Sequence, residues 1–132
     1  MNKHVLRQWA KNIRKTLNIN QLSIELSEAL RNTKVYTKAK NFMLYYPLSN
    51  EINLLSLLED KSKNFYLPRI EGDSLVCCPY KTFDILSKSR FNTFEPVCEP
   101  CLKTDIDVVI VPALACDKHN YRLGLFHSLL VR

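Results

Sequence analysis

The spacing of apolar positions predicts two amphipathic helices near the start of the chain and short buried strands after them. Apolar residues recur every three or four positions over residues 3–17 and 20–32, as on one face of a helix. Asn20 is the predicted N-cap of the second helix. Further along, the apolar runs are shorter and end at proline, which is typical of strands. The predicted elements are strands at 41–46, 64–68, 75–78 and 107–111, a helix at 51–60, and a helical turn with a loop at 83–96.

The order of these elements favours an α/β fold. Residues 108–111 are apolar at every position, which indicates a central strand of a parallel sheet, buried on both faces. Strand, short loop and helix over residues 41–60 form the first half of a β-α-β unit. The short connection between 64–68 and 75–78 favours an antiparallel pair. Ligands bind outside the carboxyl ends of the strands in such sheets, so we expect the site in the polar segment after Pro112.

That segment carries the most specific motif in the chain. Residues 111–124 read Val-Pro-Ala-Leu-Ala-Cys-Asp-Lys-His-Asn-Tyr-Arg-Leu-Gly. They resemble the signature V-P-x-L-A-x-D-x-x-x-Y-R-L-G of 5-formyltetrahydrofolate cyclo-ligases, also called methenyltetrahydrofolate synthetases. In that family the signature continues into a glycine-rich loop, roughly G-x-G-x-G-Y-Y-D-R. Here residues 125–132 read Leu-Phe-His-Ser-Leu-Leu-Val-Arg. We therefore expect the C-terminal part of the family domain to be missing.

The resemblance also assigns a nucleotide site. Family members begin with a Lys and, four residues on, an Arg, both of which contact ATP, and Lys3 and Arg7 match that pattern. From the residues alone, two cations one helical turn apart are an ordinary solvated face. With the resemblance, they are positioned to clamp adjacent phosphates. The residues that the resemblance implies for ATP binding are Lys3, Arg7, Arg122, Leu123 and Gly124.

A folate site is implied in the same way. Tyr46 and Glu51 match the family pattern Y-x-x-x-x-E, whose two positions contact the folate. The alternative is structural, since a carboxylate near a helix N-terminus gains about 0.3–1 kcal/mol from the helix dipole. In the binding interpretation, the carboxylate of Glu51 accepts hydrogen bonds from the donor edge of a pterin, and the Tyr46 ring packs on its face.

The resemblance implies a single domain over residues 1–132 with a three-layer α/β/α fold. It also implies an enzyme that uses ATP and Mg²⁺ to convert 5-formyltetrahydrofolate to 5,10-methenyltetrahydrofolate. Phosphorylation of the formyl oxygen turns it into a good leaving group, and such a transfer depends mainly on positioning and charge neutralisation. The alternative is a catalytically inactive relative, because residues 125–129 are not glycines and the family's Mg-binding Asp has no counterpart. We assign no catalytic residue, no metal ligand, and no role to His119 or His127.

Charge and composition limit the partners. The chain has 132 residues and a net charge of +6, which favours an anionic partner such as nucleic acid, a nucleotide or a polyglutamylated folate. A small basic nucleic-acid-binding domain is a further alternative, although no RNP-like, zinc-finger or helix-turn-helix motif supports it. No apolar run approaches the ~20 residues of a membrane span. We expect a monomeric cytoplasmic protein that binds a reduced folate and neither nucleic acid nor membrane.

Cysteine and glycine usage agrees with this assignment. The five cysteines are an odd number, which argues for a reducing compartment rather than a disulfide framework. Cys98 and Cys101 have C-x-x-C spacing, but a second pair suited to zinc is lacking, so packed thiols are favoured over zinc or redox chemistry. The two glycines, Gly72 and Gly124, are too few for a P-loop or a dinucleotide-binding fingerprint.

Overall fold

The computed structural model describes residues 2–90, 92–100 and 106–124, and the backbone of residues 130–131. In this part of the chain the helices are α1 (Lys3–Arg14), α2 (Ile19–Arg31), α3 (Lys34–Lys38) and a 3₁₀ helix (Leu55–Glu59). The strands are β1 (Asn41–Met43), β2 (Asn64–Glu71), β3 (Ser74–Pro79), β4 (Leu86–Lys88), β5 (Phe94–Pro96), β6 (Val108–Val109), β7 (Ala115–Cys116), β8 (Arg122–Leu123) and β9 (Leu130–Val131).

Side-chain caps fix where the helices begin. The side-chain oxygen of Asn2 accepts a hydrogen bond from the N–H of Val5 at the start of α1. Asn18 does the same for Gln21 at the start of α2. The predicted N-cap of α2, Asn20, is therefore wrong by two residues. Both asparagines have the same chemistry, and the sequence pattern alone did not separate them.

Five of the strands form one mixed sheet in the order β6-β1-β2-β3-β9. The pairs β6/β1, β1/β2 and β3/β9 are parallel, and β2/β3 is antiparallel. The predicted α/β fold with a mostly parallel sheet is confirmed. The antiparallel β2/β3 hairpin was also predicted, and it turns at Gly72, whose φ of +61° suits a residue without a side chain.

The strand predicted at 107–111 lies elsewhere in the sheet than expected. It pairs in parallel with β1, as predicted, but in the described sheet it is an edge strand rather than a central one. Val108 and Ile110 pack against the core, whereas Val109 and Val111 remain 45% and 48% exposed. Alternate residues of a strand face opposite sides. Among the described residues, only one face of this strand is therefore covered, although both faces are apolar.

Two other predicted elements are wrong. The helix predicted at 51–60 is only a five-residue 3₁₀ helix, because Asn53 turns back to accept a hydrogen bond from the N–H of Leu55 and competes with an α-helical start. Residues 83–96, predicted as a helical turn with a loop, contain the antiparallel hairpin β4/β5.

The core lies between the sheet and the 3₁₀ helix. Its most deeply buried side chains are Phe42 and Leu44 near β1, Leu57 in the 3₁₀ helix, and Leu67 in β2. Phe42 packs its ring against those of Tyr36, at 5.0 Å, and Phe65, at 5.8 Å between centroids. These contacts fix the position of β1, whose continuation carries the residues of the candidate site.

The start of β1 is held by a carboxylate, and this predicts a dependence of stability on pH. The Oδ2 atom of Asp107 accepts hydrogen bonds from the N–H groups of Lys40 and Asn41, each at 2.8 Å. These bonds hold the pKa of the Asp107 carboxyl below its ordinary value. The stabilisation is present above the unfolded-state pKa of about 3.9 and is lost as the pH falls through the lower native value.

We expect urea unfolding of Asp107→Ala to show a weaker loss of stability below about pH 4 than the wild type shows. The midpoint of urea unfolding, followed by circular dichroism over a series of pH values, measures this difference. Asp73→Ala is the control, since Asp73 is exposed in the β2/β3 turn. An equally steep acid dependence in Asp107→Ala would contradict the assigned role.

Candidate functional site

A cavity of about 380 Å³ opens where the chain leaves β1 and β6. Both strands run in the same direction, so the residues that follow them meet at one edge of the sheet, where α/β proteins bind ligands. Helices α1 and α2 supply the other walls. The lining residues are Arg14, Leu26, Leu30, Tyr45, Glu51, Ile52, Leu54, Ile110, Val111, Pro112 and Ala113.

Tyr45 forms a polar and aromatic wall of this pocket. Its hydroxyl donates a 2.6 Å hydrogen bond to the backbone oxygen of Ile52. Burial, followed by the nearby charge of Glu51, raises the pKa of Tyr45 to about 12, and the charge of Arg14 opposes this shift. Tyr45 is therefore protonated at neutral pH, and its hydroxyl remains a hydrogen-bond donor.

Glu51 brings a carboxylate to the pocket. Its Oε1 atom accepts a 2.8 Å hydrogen bond from the N–H of Leu48, which closes the turn after β1. Among the described residues this is the one hydrogen bond that the Glu51 carboxylate makes. Its other oxygen, Oε2, is therefore available to a ligand. The aliphatic side chains around it, from Leu26, Leu30 and Leu54, give the pocket an apolar wall.

Arg14, the last residue of α1, also lines the pocket. Its Nη2 atom donates a 2.8 Å hydrogen bond to the backbone oxygen of Ala113. Arg14 and Glu51 both act on the pKa of Tyr45 but form no ion pair with each other in the described structure. The pocket thus holds a cationic hydrogen-bond donor, Arg14, and an anionic hydrogen-bond acceptor, Glu51, which do not contact each other directly.

The residues proposed to bind ATP are partly brought together. The Nε atom of Arg7 donates a 2.9 Å hydrogen bond to the backbone oxygen of Gly124. Leu123 pairs with Ala115 in the short β7/β8 hairpin, and Arg122 is exposed on that hairpin with its Nη1 atom 3.2 Å from the oxygen of Pro112. Lys3 is exposed one turn before Arg7. A role for these residues in ATP binding stays a prediction.

The signature segment owes its shape to Asp117. One oxygen of its carboxylate accepts hydrogen bonds from the N–H groups of His119 and Tyr121, at 2.8 and 2.9 Å. Asn120, between them, has a φ of +66°, which asparagine tolerates better than most residues. Asp117 therefore shapes the turn between β7 and β8, and this turn places Arg122 and Gly124.

Tyr46 takes a different position from Glu51. Its ring packs edge-on against Phe94, 5.2 Å between centroids, and its backbone oxygen accepts a hydrogen bond from Thr93. It does not line the pocket that contains Glu51. Its role in folate binding stays a prediction.

The sequence interpretation missed Tyr45 and Arg14. Successive residues in an extended chain point to opposite sides, so the pattern 41–46 already placed Tyr45 and Tyr46 on different faces. Arg14 follows Arg7 by seven residues, or about two helical turns, and therefore lies on the same side of α1. These two periodicities were the signals available in the sequence.

The described cysteines are divided between interior and surface. Cys77 and Cys78 are buried in β3, Cys98 and Cys116 are exposed, and none of the four is in a disulfide. Burial raises the pKa of Cys78 to about 11. The described residues contain no group of three or more His, Cys, Asp or Glu side chains that could hold a metal. Cys101, His127 and the divergent segment 125–129 lie outside the described residues.

None of the described helices has the length and apolar character that a membrane crossing would require.

The sheet topology and the pocket at its carboxyl edge define an α/β protein with a candidate ligand site where parallel strands end. The model of the 5-formyltetrahydrofolate cyclo-ligase family matches residues 2–125. The chain therefore belongs to this family, as the signature at 111–124 indicated. Comparison with curated proteins found no significant match.

The solved structures that are similar to this chain include two methenyltetrahydrofolate synthetases. The NMR structure of 5,10-methenyltetrahydrofolate synthetase from Aquifex aeolicus superimposes with a TM-score of 0.82 and 29% sequence identity, covering 98% of this chain and 70% of that one. A 5,10-methenyltetrahydrofolate synthetase from Mycoplasma pneumoniae has a TM-score of 0.65 and 23% identity, with 95% and 72% covered. The second likeness concerns the fold alone.

Proposed function

We propose that this chain is an ATP-dependent 5-formyltetrahydrofolate cyclo-ligase, which forms 5,10-methenyltetrahydrofolate. The observation that carries the proposal is the pocket at the carboxyl edge of β1 and β6, with Glu51 in its wall and α1 along its side. A carboxylate beside apolar and aromatic surfaces suits a pterin, which has a donor edge and two flat faces. Membership of the family makes the reduced folate the first ligand to test.

The same helix that borders the pocket also reaches the proposed nucleotide site. Arg14 contacts Ala113 beside the pocket, and Arg7 contacts Gly124 at the end of the signature. These two arginines are seven residues apart, which is about 10 Å along the axis of α1. A triphosphate lying along this helix would therefore extend from Gly124 toward a folate beside Glu51.

The chemistry follows from this arrangement. Transfer of the γ-phosphoryl group to the formyl oxygen turns that oxygen into a leaving group, and the neighbouring folate nitrogen then attacks the formyl carbon and expels phosphate. Positive charge from Lys3, Arg7 and Arg122 would offset the charge on the phosphates. Mg²⁺ would arrive with ATP, held mainly by the phosphates, as is usual for this ion. We propose a cytoplasmic monomer.

A second candidate is a relative that binds folate and nucleotide without turnover. It is favoured by residues 125–129, which read Leu-Phe-His-Ser-Leu where the family has its glycine-rich loop. Anion-binding loops act through backbone N–H groups, and bulky side chains hold phosphates away from them. Loss of one preorganised donor typically lowers the rate a hundredfold or more, about 3 kcal/mol.

The test combines binding with turnover. Titration calorimetry with 5-formyltetrahydrofolate and with Mg·ATP is expected to detect binding of both, and absorbance reports methenyltetrahydrofolate formation. Arg7→Met should weaken ATP binding about tenfold or more, since charge-assisted hydrogen bonds contribute about 1.5–3 kcal/mol. Lys15→Met is the matched control, because Lys15 is an exposed cation at the end of the same helix. Binding without turnover would favour the second candidate, and absence of folate binding would reject both.

A further inference from the structure

Arg14 has no role in the proposed chemistry, yet among the described residues that line the pocket it is the one cation. Its guanidinium donates one hydrogen bond, from Nη2 to the oxygen of Ala113, which is itself part of the pocket wall. An arginine carries five N–H donors in a rigid planar fork. One bond to Ala113 fixes the plane of this fork at the cavity and leaves further donors for a ligand.

The groups facing the cavity are complementary to one edge of a pterin. That edge presents the 2-amino group and N3–H as donors, and the 4-oxo group as an acceptor. A carboxylate accepts from the two donors, and a guanidinium donates to an oxygen. Glu51 and Arg14 supply one group of each kind within one pocket, and they are not paired with each other.

We propose that Arg14 is a specificity-determining residue that recognises the 4-oxo group of the reduced folate, while Glu51 accepts from N3–H and the 2-amino group. This inference rests on the proposed function. It goes beyond it by defining which pteridines the pocket accepts: 4-oxo compounds are bound, and 4-amino compounds are disfavoured. A 4-amino group is a donor, so it would face the donors of Arg14 and leave them unsatisfied.

The electrostatic surroundings support an unneutralised Arg14. Apart from Arg14, the titratable side chains among the described pocket-lining residues are Glu51 and Tyr45. Tyr45 is neutral at physiological pH because its pKa is about 12, and Glu51 forms no ion pair with Arg14. Burying a donor without an acceptor costs free energy, so a ligand oxygen in this position is favoured over an apolar group.

The experiment compares 5-formyltetrahydrofolate with its 4-amino counterpart, in which an amino group replaces the 4-oxo group and N3 carries no hydrogen. Because the loss of N3–H also changes the contact with Glu51, the role of Arg14 is read from how the preference changes between the wild type and the Arg14 variants. Titration calorimetry of the wild type is expected to show at least a tenfold preference for the 4-oxo compound, the lower end for a charge-assisted hydrogen bond. In Arg14→Met the affinity for the 4-oxo compound should fall about tenfold to a hundredfold, while the 4-amino compound changes less than about threefold. In Arg14→Lys, which keeps the charge but not the fork, an intermediate preference is expected.

Arg31→Met is the matched control. Arg31 also donates from Nη2 to a backbone oxygen, that of Ser56, but it does not line the pocket. It should leave the preference between the two ligands unchanged. Circular dichroism confirms that each variant is folded, and if Arg14→Met does not fold, the wild type and Arg14→Lys decide.

The outcomes separate this inference from the proposed function. A wild type that binds neither compound overturns both. A wild type that binds 5-formyltetrahydrofolate without preferring it over the 4-amino compound overturns the assignment of the pterin edge to Arg14 and Glu51, but not the proposed function. Arg14→Met overturns the role of Arg14 alone if it weakens both ligands equally, because that result assigns Arg14 only to holding Ala113 in place.

Discussion

Replacing Phe42 with alanine is expected to lower the free energy of unfolding by about 3–5 kcal/mol, the range for deletion of a buried aromatic ring. The Phe42 side chain is 0% exposed and contacts the rings of Tyr36 and Phe65. It also lies in β1, which pairs with both β2 and β6. A domain of this size has about 5–15 kcal/mol of stability, so this single change removes a large part of it.

Urea unfolding followed by circular dichroism measures the effect, with Phe83→Ala as the matched control. The Phe83 side chain is 96% exposed, so its removal should change the free energy of unfolding by no more than about 0.5 kcal/mol. Both changes delete the same ring, which is buried in β1 at Phe42 and exposed in a turn at Phe83. Equal losses in the two variants would show that Phe42 is not the centre of the core.

The strands around Phe42 were the elements that the sequence predicted best. The apolar runs predicted strands at 41–46, 64–68 and 107–111, and β1, β2 and β6 begin in these segments. Their ends were predicted less well, because β1 ends at Met43 and β2 continues to Glu71. Pro68 lacks a backbone donor but does not end β2, whose pairing with β3 continues from Arg69 to Glu71. The direction of β6 relative to β1 was also predicted, since an apolar run after a β-α-β pattern favours a parallel partner.

Other features depended on contacts that the pattern of apolar positions does not contain. The 3₁₀ helix replaced a longer helix because of a hydrogen bond from the N–H of Leu55 to the side chain of Asn53. The hairpin β4/β5 lies in a segment without clear periodicity, and Glu95 ties it to the main sheet by accepting from the N–H of Ile70. The first of these contacts is local and depends on the side-chain chemistry of Asn53, whereas the second joins segments 25 residues apart and forms only in the folded chain.

The candidate site also contains residues that the sequence predicted and residues that only the structure identified. Arg7 was singled out by the family resemblance. Its hydrogen bond to Gly124, 117 residues away, joins α1 to the end of the signature segment. Arg14 lies on the same face of α1 but belongs to no quoted motif, and it was identified by its contact with Ala113 and its place in the pocket wall. Tyr46 was preferred to Tyr45 on the motif, whereas the pocket contains Tyr45.

Glu51→Gln is expected to weaken binding of 5-formyltetrahydrofolate about a hundredfold while leaving ATP binding unchanged. The amide replaces a charged acceptor by a neutral one and turns one of its two acceptor atoms into a donor. Charge-assisted hydrogen bonds contribute about 1.5–3 kcal/mol each, so loss of one strong bond and weakening of another gives an effect of this size. Titration calorimetry with each ligand measures it.

The fold should survive this change, because the amide oxygen of glutamine can still accept the hydrogen bond from the N–H of Leu48. The midpoint of urea unfolding should therefore stay close to that of the wild type. A second readout does not need a ligand: since the charge of Glu51 raises the pKa of Tyr45, its removal should lower that pKa from about 12. Tyrosine ring signals in NMR, followed with pH, report this shift.

Glu28→Gln is the matched control, because Glu28 is an exposed carboxylate on α2 outside the pocket lining. It should alter neither folate affinity nor the titration of Tyr45. If Glu51→Gln lowers the pKa of Tyr45 yet binds folate as tightly as the wild type, Glu51 lies in the pocket without contacting the ligand. The assignment of the pterin edge to this carboxylate would then be wrong, because no neutral amide can replace a charged acceptor facing two donors without loss of affinity.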